Sequence, residues 1–189
     1  MIRSDKDMLW KVIDEEYIFK RPWLTAHKDK VKLPNGKVYD EYYVLSYPTW
    51  LNVIAETTDG LLILERQYRH AVREVSIEIC AGCVEEGEKP LEGAKRELKE
   101  ETGYGGGEWT ELLKIAPNSS TMDNFCHCYY AKGVARISDT NFDDTEDIEL
   151  LLKTKEEVFE MLKRGDFHQA MMVAPLWKYF ATYCRTMIL

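Results

Sequence analysis

The chain has 189 residues, with 25 Lys+Arg against 33 Asp+Glu and a formal net charge of -8. That length suits one domain with an extension and is enough to bury a sizeable core. The 45% apolar and 31% charged content excludes a disordered chain. No apolar run approaches the roughly 18–20 residues of a membrane span, and the acidic balance argues against nucleic acid as a partner.

The opening stretch, MIRSDKDMLW, lacks the apolar run of a secretory signal, so secretion is not expected. Five cysteines, an odd number, read as reduced thiols of a cytoplasmic protein. Residues 10–20 and 30–34 mix apolar and polar positions as half-exposed strands do. Pro34-Asn35-Gly36-Lys37 is a turn signal, so strands near 28–33 and 37–45 form a hairpin. Trp50–Glu56, Leu61–Gln67 and Val75–Cys80 read as further strands.

Pro90 to Thr102 is then a helix, with Pro at its start and Gly103 just past its end. Leu91, Ala94 and Leu98 form its packing stripe. Strands follow near 109–116, 124–134 and 148–153. Lys155–Arg164 and Pro175–Met187 read as helices. The order of strands, helix, strands and helices predicts an α/β (α+β) layered domain. Within 124–134, Cys126 and Cys128 share one strand face and His127 the other. The pairs Cys80/Cys83 and Cys126/Cys128 also have the spacing of zinc half-sites, but an apolar strand with buried thiols is the simpler reading.

Seven glutamates lie between Glu85 and Glu101. On the helix, Glu97, Glu100 and Glu101 fall within one arc. They flank the apolar stripe instead of opposing it, so they stand at the core edge, partly desolvated, where mutual repulsion is larger than in water. A solvated charged face is the bland alternative. Converging carboxylates otherwise suit a hard divalent cation such as Mg2+, which takes phosphate co-ligands and activates water.

Gly82, Glu88, Arg96-Glu97-Leu98-Lys99-Glu100-Glu101, Gly103 and Tyr104 resemble the Nudix box, with Tyr104 where an aliphatic residue is usual. Arg21-Pro22-Trp23-Leu24, Leu33-Pro34-Asn35-Gly36-Lys37, Arg66-Gln67-Tyr68-Arg69-His70 and Ile77-Glu78-Ile79-Cys80-Ala81-Gly82 are similar to the ADP-ribose pyrophosphatase branch of that family. So are Ala116 to Thr121 and Thr145 to Glu149. Two positions depart: Cys80 stands where the branch has Pro, and Pro117 falls nearer the box. Both bear on the substrate more than on the reaction.

The resemblance implies a Nudix α/β/α sandwich with a mixed sheet and an N-terminal antiparallel β extension. Residues 1–47 would serve dimerisation and the substrate platform, and residues 48–189 would be the hydrolase domain. Glu97, Glu100, Glu101 and the carbonyl of Ala81 would hold Mg2+, with Mn2+ as a substitute. Arg96 would orient the carboxylates through ion pairs. Glu88 is either structural support or a ligand. Glu146, on a loop where residues 139–149 hold six acids, would be the base that deprotonates the attacking water, or an extra ligand. Arg69 would grip phosphate. Glu78 would face substrate or serve only as an ion-pair partner. Trp23 and Tyr39 would sandwich the nucleotide base, built at a homodimer interface.

The implied reaction is Mg2+-dependent hydrolysis of a nucleoside diphosphate linked to another group, with ADP-ribose giving AMP and ribose 5-phosphate. GDP- or UDP-sugars and dinucleotides are the alternative substrates. A non-catalytic nucleotide sensor is the alternative class, and it fits poorly because every box carboxylate is present.

Overall fold

The computed structural model describes residues 2–143 and 145–187. Asp144, one of the acids expected to be a surface charge, lies outside them. The chain forms two units, residues 1–48 with 118–124, and residues 49–117 with 125–189.

The first unit is a three-stranded antiparallel sheet of β1 (Lys11–Arg21), β2 (Leu24–Lys32) and β3 (Val38–Ser46), in that order. The turn between β2 and β3 is the predicted one: Gly36 has φ 84, and the Lys37 N–H donates to Asn35 Oδ1 at 3.0 Å. Strand β2 starts earlier than its polarity suggests. Ala26, His27, Asp29 and Val31 are buried, and the His27 ring holds Asp29 at 2.7 Å, so polar groups are inside because they are paired. The segment 118–124 packs beside β3, with Thr121 O accepting from the Leu45 N–H at 2.7 Å.

The second unit contains the remaining elements in chain order. They are β4 (Trp50–Thr57), β5 (Leu62–Arg69), β6 (Glu74–Glu78), β7 (Cys80–Cys83), α1 (Pro90–Thr102), β8 (Tyr104–Gly105), β9 (Glu108–Ile115), β10 (Cys126–Arg136), β11 (Glu149–Lys153), α2 (Lys155–Arg164) and α3 (Ala170–Tyr183). The sheet path is β11-β5-β4-β10-β8, with β6 on β5, β7 on β4 and β9 on β10. β4 and β10 are parallel and the other pairs antiparallel, so the sheet is mixed.

Helices cover both faces. Leu51, Val53 and Ala55 of β4 pack with Ala94 and Leu98 of α1, whereas Ile54 packs with Val158, Leu176 and Phe180 of α2 and α3. A strand buried on both faces reads as a near-continuous apolar run, as β4 does. The α/β/α sandwich expected from the sequence is the observed fold. Among the described residues, no helix is long and apolar enough to cross a membrane.

Two expectations are corrected. The strand predicted over Val75–Cys80 is broken at Ile79. β4 and β5 pair only through Ala55 with Ile63 and Glu56 with Leu62, so the chain leaves β5 after Glu78 and pairs with β4 from Cys80. The last helix, predicted from Pro175, begins at Ala170 and ends at Tyr183, followed by a 3-10 turn. Proline lacks the N–H that would bond the carbonyl four residues earlier, here that of Met171. The fully buried Asn52 supplies the missing donor, its Nδ2 reaching Met171 O at 2.7 Å.

Asn52→Ala should therefore destabilise the protein by about 1–3 kcal/mol, the usual penalty for an orphaned buried polar group. Adding Pro175→Ala should recover part of that loss, because the restored N–H satisfies the same carbonyl. Urea unfolding of the single and double variants tests this.

A second buried link ties the helices to the sheet. Glu56 accepts from Tyr130 Oη at 2.5 Å, Tyr179 Oη at 3.0 Å and Lys155 Nζ at 2.8 Å. Burial alone would raise its pKa, but these three donors together hold it below the ordinary value.

Candidate active site

Helix α1 is built to hold its glutamates at the sheet. Pro90 starts it at the first turn. Gly103 ends it at φ 75, its N–H donating to Lys99 O at 2.9 Å. A side chain at 103 would overlap the carbonyl of Ser138, so only glycine suits both demands. Ala94 and Leu98 are fully buried, which turns Glu97 and Glu101 toward β7.

There the backbone receives them. The Ala81 N–H donates to Glu101 Oε2 and the Cys83 N–H to Glu97 Oε1, both at 3.3 Å. A side chain at Gly82 would overlap the Glu97 carboxyl, so the absence of one allows the close approach.

Arg96 is the hub on the outer side. Its guanidinium meets Glu88 at 3.0 and 3.1 Å, Glu97 at 3.0 Å, Glu100 at 3.1 Å and the carbonyl of Cys83 at 3.0 Å. Its pKa is raised, first through the Glu88 bonds. Glu88 is held low by Arg96 and also accepts the Glu85 N–H at 3.0 Å, a set of bonds that braces the loop before α1.

Burial raises the pKa of Glu97 despite Arg96. Burial also pushes Glu101 up to about 7, and the charges of Glu97 and Glu146 push in the same direction. Half-buried Glu146 sits in a turn where its carboxylate accepts the Asp143 N–H at 2.8 Å.

The strand side carries Arg69 and Glu78. They are joined bidentately at 2.9 and 2.5 Å, with Glu78 1% exposed. Glu78 thus makes a two-point ion pair with Arg69. Arg66 is tied to Glu149 at 2.7 Å across β5 and β11. Arg73 makes a turn at φ 60. A cleft of about 280 Å3 is lined by Arg69, Ala81 and Gly82 together with Trp50, Met171 and Met172.

Trp23 and Tyr39 belong to the first unit and are 71% and 51% exposed. Among the described residues, Cys80 and Cys83 do not gather with Cys126 and Cys128 into one group of metal-ligand spacing. All five cysteines are free, and His127 bonds Glu111 at 2.9 Å.

Residues 47–174 match the NUDIX domain model, and residues 10–45 match that of the nucleoside diphosphate sugar hydrolase N-terminal domain. The chain belongs to the Nudix hydrolase family. The methanol dehydrogenase activator of Bacillus methanolicus is 31% identical, covering 86% of this chain and 88% of its own. The ADP-ribose pyrophosphatase of Bacillus subtilis is 28% identical, covering 87% and 89%. A crystal structure of an ADP compounds hydrolase superposes with a TM-score of 0.81 at 22% identity, covering 94% and 95%, and thus shares the fold.

The chain is accordingly a Nudix enzyme that hydrolyses nucleoside diphosphate derivatives, and Nudix hydrolases use a divalent cation. The donor set fits one. Glu97 and Glu101 are buried carboxyls that face the same short strand and disfavour each other's charge, and a bound cation would offset what their burial and repulsion cost. Two features escaped the sequence reading. One is the Met171/Met172 wall of the cleft, hidden by placing the helix start at Pro175. The other is Glu65, a carboxylate that directly follows the apolar run Leu62-Ile63-Leu64 on the same buried strand, a position that was itself the available signal.

Proposed function

We propose that the protein is an ADP-sugar pyrophosphatase that cleaves ADP-ribose to AMP and ribose 5-phosphate with Mg2+, Mn2+ serving as a substitute. The observation that carries this reading is the convergence of Glu97 and Glu101 on the Ala81–Cys83 backbone beside an Arg69-lined cleft. Glu97, Glu100, Glu101 and the Ala81 carbonyl would hold the cation. When bound, it neutralises the diphosphate and activates water for in-line attack at phosphorus.

The chain's own groups do the rest. Arg96 keeps Glu97 and Glu100 in place. Arg69, preset by Glu78, meets a phosphate oxygen. Glu146 accepts the proton of the attacking water. Trp23 and Tyr39, exposed aromatics, offer faces for the base. Residues 1–47 act as the dimerisation and platform region and residues 48–189 as the hydrolase domain. Homodimerisation is supported by β1, all of whose residues are exposed, including Val12, Ile13, Tyr17, Ile18 and Phe19; apolar patches of this kind are interaction surfaces. Five free thiols fit the reducing cytoplasm.

Purified protein with Mg2+ is expected to release AMP from ADP-ribose faster than from NADH, GDP- or UDP-sugars or diadenosine polyphosphates. A higher kcat/KM on any of these assigns that substrate instead. By size-exclusion with light scattering the protein should run as a dimer; a monomer would remove the shared-platform role of Trp23 and Tyr39.

A further inference from the structure

Glu65 has no role in the site so far. It lies on β5 and is 1% exposed, and neither carboxyl oxygen has a hydrogen-bond partner other than the neighbouring Glu101 carboxyl. A buried carboxyl of this kind is strongly disfavoured unless something compensates it. Its position shows what could. Residues 63 and 65 face the α1 side of the sheet, where Ile63 packs with Leu98. One carboxyl oxygen of Glu65, one of Glu101 and the Cys80 sulfur all lie within 4.8 Å of one another, and all three residues are buried. Three donor atoms this close can turn toward one ion set between them.

We propose that Glu65, Cys80 and Glu101 form a cation seat on the buried side of Glu101, taking a borderline divalent metal of the Co2+ or Zn2+ type. The inference rests on the reading of Glu101 as a metal ligand. The donor set sets the preference. Mg2+ demands oxygen donors and sheds water reluctantly, whereas a thiolate selects softer ions. Two carboxylates and one thiolate are three protein ligands, leaving a position for a further donor. On binding, the Cys80 sulfur and the two carboxyl groups bond to the ion in their deprotonated forms, and the thiol proton together with any carboxyl proton leaves to solvent. The metal's oxidation state is unchanged, so no other reactant is needed.

The test is to titrate the full, reduced, chelator-stripped protein with Co2+. We expect a near-ultraviolet thiolate-to-cobalt absorption band that a large excess of Mg2+ does not remove. The band should vanish in Cys80→Ser and persist in Cys83→Ser, and the Co2+ dissociation constant should rise at least about tenfold in Glu65→Gln, the lower end of losses seen even for groups one step beyond a ligand.

Binding of Co2+ without the band, no Co2+ binding, a band that survives Cys80→Ser, or unchanged affinity in Glu65→Gln each overturn the proposal. Should Cys80→Ser fail to fold, X-ray absorption of the Co2+-loaded Cys83→Ser protein decides the matter. One sulfur in the coordination sphere is expected, and an all-oxygen sphere overturns the seat. The Mg2+ reading fails separately, through turnover that survives Glu97→Gln.

Discussion

Glu101→Gln should abolish most turnover while leaving the protein folded. The amide matches the carboxylate in size, so the packing of α1 is retained, but a formal charge at the centre of the carboxylate cluster is lost. Removing one preorganised electrostatic group from an active site commonly lowers kcat by about 100- to 1000-fold. A drop at least that large is expected at saturating Mg2+.

The same change should also stabilise the metal-free protein at pH 8. Burial and the charges of Glu97 and Glu146 oppose ionisation of Glu101, and Gln carries no charge to bury. Loss of activity together with a gain in metal-free melting temperature is a signature that a merely structural glutamate would not give. If turnover survives, Glu101 is not a metal ligand.

The second large effect is a pH dependence of stability that a cation should erase. Glu101 is pushed up to about 7 from an ordinary 4.5. A group raised in the folded state binds more protons there than in the unfolded chain, so stability falls as pH rises between those two values. The contribution is present in full below pH 4.5 and is lost as pH climbs through 7. For Glu101 alone it amounts to roughly 3 kcal/mol at most, at about 1.4 kcal/mol per unit.

Glu56 and Glu88 shift the other way, and their stabilisation is lost on acidification. The diagnostic quantity is therefore the difference between the metal-free wild type and Glu101→Gln. That difference should widen in favour of the variant from pH 5 to pH 8. Saturating Mg2+ should raise the wild-type melting temperature more at pH 8 than at pH 5, since binding to the folded state alone stabilises it and protons compete for the same oxygens. Equal shifts at both pH values would mean that the cation does not bind these carboxylates.

Much of this was legible without coordinates. α1 and α2 fall on the predicted residues because their ends carry local signals: Pro90 and Gly103 for one, and for the other the Thr154/Glu157 capping box and Gly165. The box glutamates were legible because their spacing on one helix brings them together whatever else the chain does. The start of α3 was not. Pro175 within the helix leaves the Met171 carbonyl without its helical donor, and Asn52, distant in sequence, satisfies it. The break at Ile79 was likewise hidden, because it depends on β4 and β5 diverging.

By itself the sequence determined the family, the layered fold and the helix that presents Glu97, Glu100 and Glu101, since periodicity, end signals and a dense motif act over a few residues. Only the tertiary structure decided that Arg69 is gripped by Glu78, that Glu101 meets the Ala81 N–H, and that Glu65 and Cys80 close on Glu101 from behind. Each of these is a contact between separate strands or a strand and a helix. Its geometry depends on which strands pair and in what register, and no local spacing encodes that.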